Sequence, residues 1–128
     1  MILIKSCNED KKCSLQEIAK GINSPSAFTA KILQQLRKKG LLVSTIGAKG
    51  GFQIPPKKQI CLLEIVEAID GKGLIESCVL GLKKCSSLNP CPVHEKYQNI
   101  KNEMLKFMME SSLEDYTEKI KNHTITLK

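Results

Sequence analysis

Four side chains that can bind a metal lie within seventeen residues of the second half of the chain. They are Cys78, Cys85, Cys91 and His94, separated by six, five and two other residues. Thiolate and imidazole groups suit zinc, and thiolates hold iron–sulfur clusters, in some of which a histidine binds one iron. Because three exposed thiols without a partner would be prone to oxidation, a metal is favoured over a loop of free thiols. The spacing alone does not choose between zinc and a cluster.

The other cysteines give no second ligand group. Cys7 and Cys13 flank a polar loop without a nearby histidine, so we expect them not to bind metal, and Cys61 falls in an apolar run as a small core residue. No stretch approaches the length of a membrane span, and the Met1–Ile4 start is too short for a signal peptide. These features favour the cytoplasm, where thiols stay reduced and six cysteines indicate metal or redox chemistry.

Basic charge is confined to the first half of the 128 residues. Residues 1–60 carry eleven Lys and Arg against three Asp and Glu, a net charge of +8, whereas residues 61–128 have a net charge of −1. A continuous positive surface attracts phosphate through counterion release. A solvated lysine-rich face is the alternative, but the elements encoded in the same segment favour a nucleic acid.

Those elements are two short helices joined by a tight turn. Ser14 and Glu17 form a capping box for the first helix, which should run to about Lys20. Ser24 and Pro25 suit the start of the second helix, which should end before Gly40. The spacing places on its inner face Phe28, Ile32, Leu33 and Leu36. This pattern predicts a helix-turn-helix whose second helix enters a DNA major groove.

A β-hairpin should follow the second helix directly. The apolar run 41–46 predicts one strand, the glycine-rich segment 47–51 a turn, and residues 52–54 the returning strand. A helix followed by such a hairpin is the arrangement of a recognition helix and its wing. An ordinary helix and hairpin in a small α+β domain is the alternative.

The predicted DNA contacts fall into three groups. For base readout near the start of the second helix we expect Ser26, Thr29 and Lys31. For phosphate contacts that fix orientation we expect Lys38, Lys39, Lys57 and Lys58. For the minor groove or its phosphates we expect the wing residues Lys49, Gly50 and Gly51.

The second half of the chain should supply support and dimerisation. Residues 60–69 read as a buried helix, and Ser112 should cap a last short helix. A long helix from Val93 carries a stripe at steps of four and three residues, formed by Val93, Tyr97, Ile100, Met104 and Phe107. Such a narrow stripe favours a partner helix in a homodimer over packing on its own domain.

With these motifs in this order, the sequence resembles the IscR/NsrR family of bacterial winged-helix transcription regulators. The resemblance runs from about Ser14 to Ile120 and rests on SLQEIAKGI, AFTAKILQQLRKKGLL, GAKGGFQI, LLEIVEAIDG and CPVH. It implies a homodimer crossed through the long helix and bound to a palindromic operator of double-stranded DNA. It also implies an iron–sulfur cluster, 2Fe-2S or 4Fe-4S, on Cys78, Cys85 and Cys91, whose assembly or damage changes DNA affinity. Similar two-iron members use a histidine corresponding to His94.

The sequence departs from that family at three places. Six residues separate Cys78 and Cys85 where five are usual. Ile46 stands at a wing position that is often arginine, which removes a cation from the minor groove and leaves Lys49 as its substitute. Met1–Lys5 resembles only the end of the family's first helix, so we expect Met1 to be an internal methionine of a longer natural protein.

The sequence therefore predicts a mainly α protein with a small β-hairpin wing. Residues 1–71 should form the winged helix-turn-helix domain, residues 72–92 the cysteine-bearing loop, and residues 93–128 the dimerisation helix, a short last helix and a tail. The expected function is a DNA-binding transcription regulator that senses redox, nitric oxide or iron–sulfur status. The alternatives are a zinc-stabilised DNA-binding protein without sensing, and an interaction-only remnant. An enzyme of the thiol oxidoreductase type is disfavoured because the chain lacks a Cys-x-x-Cys pair.

Overall fold

The computed structural model describes residues 12–56, 58–82 and 86–124, with the side chains of residues 74 and 75 left out. Within these ranges the chain forms six helices and one two-stranded antiparallel sheet. In chain order the elements are α1 (Leu15–Gly21), α2 (Ser26–Lys38), β1 (Val43–Thr45), β2 (Gly51–Gln53), α3 (Leu62–Asp70), α4 (Gly73–Glu76), α5 (His94–Glu110) and α6 (Leu113–Lys121). This confirms the predicted mainly α fold with a small hairpin.

The first helix begins with the predicted capping box. The Ser14 hydroxyl accepts a hydrogen bond from the Glu17 amide at 3.2 Å, and the Glu17 carboxylate accepts one from the Ser14 amide at 2.8 Å. Both bonds satisfy amides that the first helical turn leaves without partners. Asn23 then takes a positive φ of 49°, a conformation that asparagine tolerates better than most residues, and the chain turns into α2.

The second helix begins one residue later than predicted. Pro25 is its cap residue rather than its first helical residue, and the Pro25 carbonyl accepts from the Thr29 amide at 3.0 Å. Leu33 and Leu36 are buried in the core, as their spacing predicts. Phe28 differs from the prediction because its side chain is 60% exposed.

The hairpin is the predicted wing, and a third short segment of backbone supports it. Val43 pairs with Gln53 and Thr45 with Gly51. On the outer side of β2, Cys13 and Phe52 exchange two backbone hydrogen bonds of 3.0 and 2.8 Å. These bonds attach the hairpin to the residues that precede α1, so both ends of the helix-turn-helix are joined to the wing.

Helix α3 lies behind the recognition elements and packs on both α2 and α5. It ends where predicted, at Gly71, which takes a positive φ of 73°. At its start, the Leu62 amide donates to the Ser111 carbonyl at 2.9 Å, and the Leu113 amide donates to the Ile60 carbonyl at 2.9 Å. The start of α3 is therefore fixed to the junction between α5 and α6.

Helix α5 has an inner and an outer face. Lys101 and Met108 are buried on the inner face, whereas Ile100 and Phe107 are 62% and 56% exposed on the outer face. A lysine can be buried along its aliphatic stem while its ammonium group reaches water. The part of the predicted apolar stripe formed by Ile100 and Phe107 therefore does not face the chain's own core.

An apolar groove of about 510 Å³ opens between the helix-turn-helix and the helices behind it. Its walls come from α1, α2, α3 and α6, and the exposed side chains of Ile22 and Phe28 belong to its lining. The expectations for Met1–Lys5, for Cys7 and for the tail beyond Thr124 lie outside the described residues. Among the helices that are described, none has the length and apolar character that crossing a membrane requires.

Candidate DNA interface and cysteine loop

The outward face of α2 carries polar and basic side chains. Ser26 and Lys31 are exposed near its start, and Lys38 and Lys39 are exposed at its end. They lie on this face because the buried positions Leu33 and Leu36 turn it away from the core. The two lysines also stand at the negative pole of the helix, where cations are stabilising.

Thr29 does not fit the predicted role in base readout. Its side chain is only 3% exposed, and its hydroxyl donates to the Pro25 carbonyl at 3.1 Å. Thr29 lies four residues before Leu33, and side chains four residues apart share a helix face, so the prediction placed it on the wrong side. The prediction of base readout from this turn therefore rests on Ser26 and Lys31.

Three side chains at the wing tip are exposed to solvent. Ile46, Ala48 and Lys49 are exposed, as predicted for Lys49. The Gly50 amide donates to the Gly47 carbonyl at 2.8 Å, and a Cβ on Gly50 would collide with the Thr45 carbonyl oxygen. Gly50 is thus required by the turn itself, and its amide is used within the hairpin instead of on phosphate.

Gly51 is also required by the hairpin. It has a φ of 154°, and a Cβ there would stand 2.7 Å from the Cys13 carbonyl oxygen. Gly51 therefore has a packing role in the wing, and its predicted DNA contact stays a prediction.

Two residues that the sequence did not single out hold the wing in place. Arg37 donates to the Ser44 hydroxyl at 3.1 Å, which joins the last turn of α2 to β1. Lys12 donates to the Thr45 hydroxyl at 2.9 Å, which joins the segment before α1 to the end of the same strand. A cation at the end of a helix is common, so the sequence carries no signal for these pairings.

Lys58 has a structural partner as well. Its ammonium group donates to the Gly40 carbonyl at 3.0 Å and so satisfies an acceptor just beyond the end of α2. Its other two N–H groups are not committed to this bond and remain suited to phosphate. Lys57 lies outside the described residues.

The cysteine loop begins after α4 and ends in the first turn of α5. Cys78 is 7% exposed, and its carbonyl accepts from the Gly81 amide at 2.9 Å in a turn. Cys91 and His94 are half-buried, and the His94 amide donates to the Cys91 carbonyl at 2.9 Å. This hydrogen bond closes a turn that leads from Cys91 into α5. That the two side chains bind one metal stays a prediction.

The described residues do not by themselves assemble a metal site. Residues 12–56, 58–82 and 86–124 contain no group of three potential ligands placed to hold one ion, and Cys85 lies outside them. Cys78 and Cys91 are free thiols, and soft thiolates with one imidazole form a donor set that suits zinc or an iron–sulfur cluster. Cys13 is disulfide-bonded, which differs from the expectation of reduced thiols.

A basic helix-turn-helix joined to a glycine-turned hairpin defines a winged-helix DNA-binding protein. The match to known proteins identifies the family. Residues 1–119 match Rrf2, described as an iron-dependent transcriptional regulator. A protein of Aquifex aeolicus described as an HTH-type transcriptional regulator is 32% identical over 111 residues, which are 84% of this chain and 77% of that protein. The chain belongs to the Rrf2 family of transcriptional regulators, whose members bind DNA and are not enzymes.

Solved structures agree on the fold. CymR, the global cysteine regulator of B. subtilis, superposes with a TM-score of 0.74 at 23% identity, covering 91% of this chain and 86% of that one. IscR of T. potens gives a TM-score of 0.73 at 16% identity, covering 99% of this chain and 84% of that one. At these identities both structures support the winged-helix fold, and neither assigns a ligand to this chain.

The inward position of Thr29 leads to a test of base readout. Thr29→Val should leave the preference for a selected duplex over random DNA unchanged, because its hydroxyl is bonded to Pro25. Lys31→Ala should reduce that preference by about 1–3 kcal/mol, the usual range for a lost base contact. Titrations of both variants on both duplexes measure this, with thermal melts as the check on folding. Equal losses of preference in the two variants would place Thr29 at the bases after all.

The exposed lysines at the end of α2 lead to a test of phosphate contact. Lys39→Gln should lower the magnitude of the slope of log affinity against log salt by roughly 0.9, because one fewer counterion is released. Lys106→Gln is the control, since Lys106 lies on α5 and pairs with Glu110 at 3.9 Å. A salt slope that Lys39→Gln leaves unchanged would show that Lys39 does not contact phosphate.

Proposed function

We propose that this regulator is of the IscR/NsrR type, a cytoplasmic homodimer that represses transcription and senses redox, nitric oxide or iron–sulfur status. The observation that carries the proposal is the position of Cys91 and His94 in the turn that begins α5. His94 is thus the first residue of the helix that packs on α3, and α3 packs on the recognition helix α2. A change in the loop has a continuous path of packed elements to the DNA interface.

The proposed ligands are Cys78, Cys85 and Cys91, with His94 as the fourth. An iron–sulfur cluster bound there would supply a centre that oxidants and nitric oxide alter. The chain's own part is to draw the residues after α4 and the first turn of α5 toward one another. Loss of a ligand bond would free the start of α5 to shift against α3, and with it the support of α2.

DNA recognition in this proposal uses the exposed polar and basic side chains of α2, together with Lys58 and the wing. Ser26 and Lys31 read base edges, while Lys38, Lys39 and Lys58 contact phosphate and fix the orientation. Lys49 at the wing meets the minor groove or the phosphates beside it. Two copies related by a two-fold axis would place two such surfaces on a palindromic operator.

The exposed side of α5 supports the homodimer. Val93, Ile100 and Phe107 recur at intervals of seven residues and are 38%, 62% and 56% exposed. Tyr97 and Met104, also seven apart, are half-buried between them. This is the a/d pattern of a helix that packs on another helix. Full burial of an exposed apolar side chain contributes roughly 1.5–3 kcal/mol, and each of these would gain the part that its exposed fraction leaves, so the stripe favours a dimer.

Cysteine substitutions test the cluster directly. Cys78→Ala, Cys85→Ala and Cys91→Ala should each abolish the visible absorption of anaerobically purified protein, because removing one thiolate exposes an iron to solvent. His94→Ala should give a shifted or labile spectrum. Cys61→Ala is the matched control, since Cys61 is also a free thiol but caps α3 away from the loop.

The spectrum should be accompanied by assays for iron, sulfide and zinc. Iron and sulfide in the wild type support the cluster, and zinc without sulfide in a colourless protein supports the alternative of a structural zinc site. A full spectrum in any of the three loop variants would contradict the ligand assignment.

Charge substitutions test the dimer. Ile100→Asp or Phe107→Asp should convert the dimer to a monomer, because a carboxylate would lose its hydration inside the helix–helix contact. Met109→Asp is the matched control, since Met109 is also 62% exposed but lies nine residues from Ile100, roughly half a turn around the helix. Light scattering after size exclusion gives the mass. A dimer that survives both seam variants would place the interface elsewhere.

A further inference from the structure

Ile46 is an apolar side chain at the tip of the wing, in a setting that no packing role explains. It is 98% exposed, although isoleucine is among the residue types most often buried. A single exposed apolar residue on a protein surface is common and by itself indicates nothing. The position of Ile46 on the hairpin and its charged surroundings are the features that carry the inference.

The backbone around Ile46 is fixed relative to the recognition helix. Ser44 and Thr45, the two residues before it, accept hydrogen bonds from Arg37 and Lys12 at 3.1 and 2.9 Å. On its other side, the Gly47 carbonyl accepts from the Gly50 amide at 2.8 Å and closes the turn. Because the residues on both sides of Ile46 are held in this way, the position from which its side chain projects is set before DNA binds.

Cations surround this apolar tip. Lys49 is exposed across the turn, and Arg37 and Lys12 bind Ser44 and Thr45, the two residues of β1 that precede Ile46. This charge brings the tip to a polyanion, but Ile46 has no group that can hydrogen-bond to a base edge. Its contribution at a DNA groove must therefore come from shape, and apolar wedges of this kind act in the minor groove by entering between base pairs.

We propose that Ile46 enters the minor groove of bound DNA and partly unstacks one base step, which bends the duplex. This inference rests on the proposed DNA-binding surface and adds a specificity-determining residue to it. Pyrimidine–purine steps unstack most easily, so Ile46 makes the protein prefer such a step beneath the wing without reading its hydrogen-bonding groups. Specificity at this position comes from the cost of deforming the DNA.

The test uses the full chain and a duplex selected from random sequence, with 2-aminopurine placed at successive steps and dyes at the two ends. With the wild type, fluorescence should rise at one step beneath each wing, and energy transfer between the ends should report a bend. Ile46→Ala should abolish both signals and weaken binding by about tenfold, the equivalent of roughly two buried methylene groups. The salt slope should stay unchanged because no charge is removed.

Two further variants separate shape from charge. Ile46→Leu should retain the unstacking signal because it keeps an apolar wedge of the same size. Ile46→Lys should raise the magnitude of the salt slope by roughly 0.9 without restoring the signal. Val43→Ala is the control, since Val43 is a 40% exposed apolar residue on the same hairpin but away from its tip.

The outcomes distinguish this inference from the function on which it rests. Wild type that binds the selected duplex and gives the same 2-aminopurine signal and bend as Ile46→Ala would overturn the wedge and leave the DNA-binding surface intact. Wild type that binds no duplex would overturn both. Because Ile46 contacts almost no other part of the chain, its variants should melt with the wild type, so loss of folding cannot imitate either result.

Discussion

The burial of Leu33 and Leu36 is the contact on which the DNA-binding half depends. Both side chains belong to the core and are 3% and 2% exposed, in a helix that packs on α1 and α3. An α-helix advances 100° per residue, so burying these two positions fixes the direction of every other side chain on α2. Lys31 and Lys38 are turned outward as a result. Rotating the helix by one residue would move charged groups toward an apolar core, which is far more costly than any single contact made with DNA.

The position of the wing depends on the same helix, α2. Arg37 extends from the last turn of α2 to Ser44, while the backbone of Cys13 pairs with Phe52 on the opposite strand. The hairpin is therefore attached at both of its strands, one to the recognition helix and one to the segment before α1. Two three-residue strands would be only marginally stable alone, so these attachments explain how so short a wing keeps a defined tip.

The sequence predicted the parts of this fold that depend on local chemistry. The capping box at Ser14, the cap at Ser112 and the glycine end of α3 all appear where turn and cap preferences place them. The prediction for Thr29 was wrong because the polarity of its side chain was given more weight than its position four residues before Leu33. The Thr29 hydroxyl instead donates a hydrogen bond to the Pro25 carbonyl. Phe28 could not be predicted for a different reason, since its exposure depends on how α3 and α6 stand across the groove, and that is tertiary information.

Helix α5 connects the parts of the molecule that the sequence presents as separate. It begins at His94, three residues after Cys91, its inner face buries Lys101 and Met108, and its outer face exposes Ile100 and Phe107. Its seventeen residues form one rigid rod roughly 25 Å long, so a displacement at one end is carried along both faces. If the loop holds a cluster, a single change at its ligands would act on the core of its own subunit and on the contact with the second. In the proposed dimer the two DNA-binding surfaces would then respond together, because the proposed dimer contact and the support of each recognition helix belong to the same element.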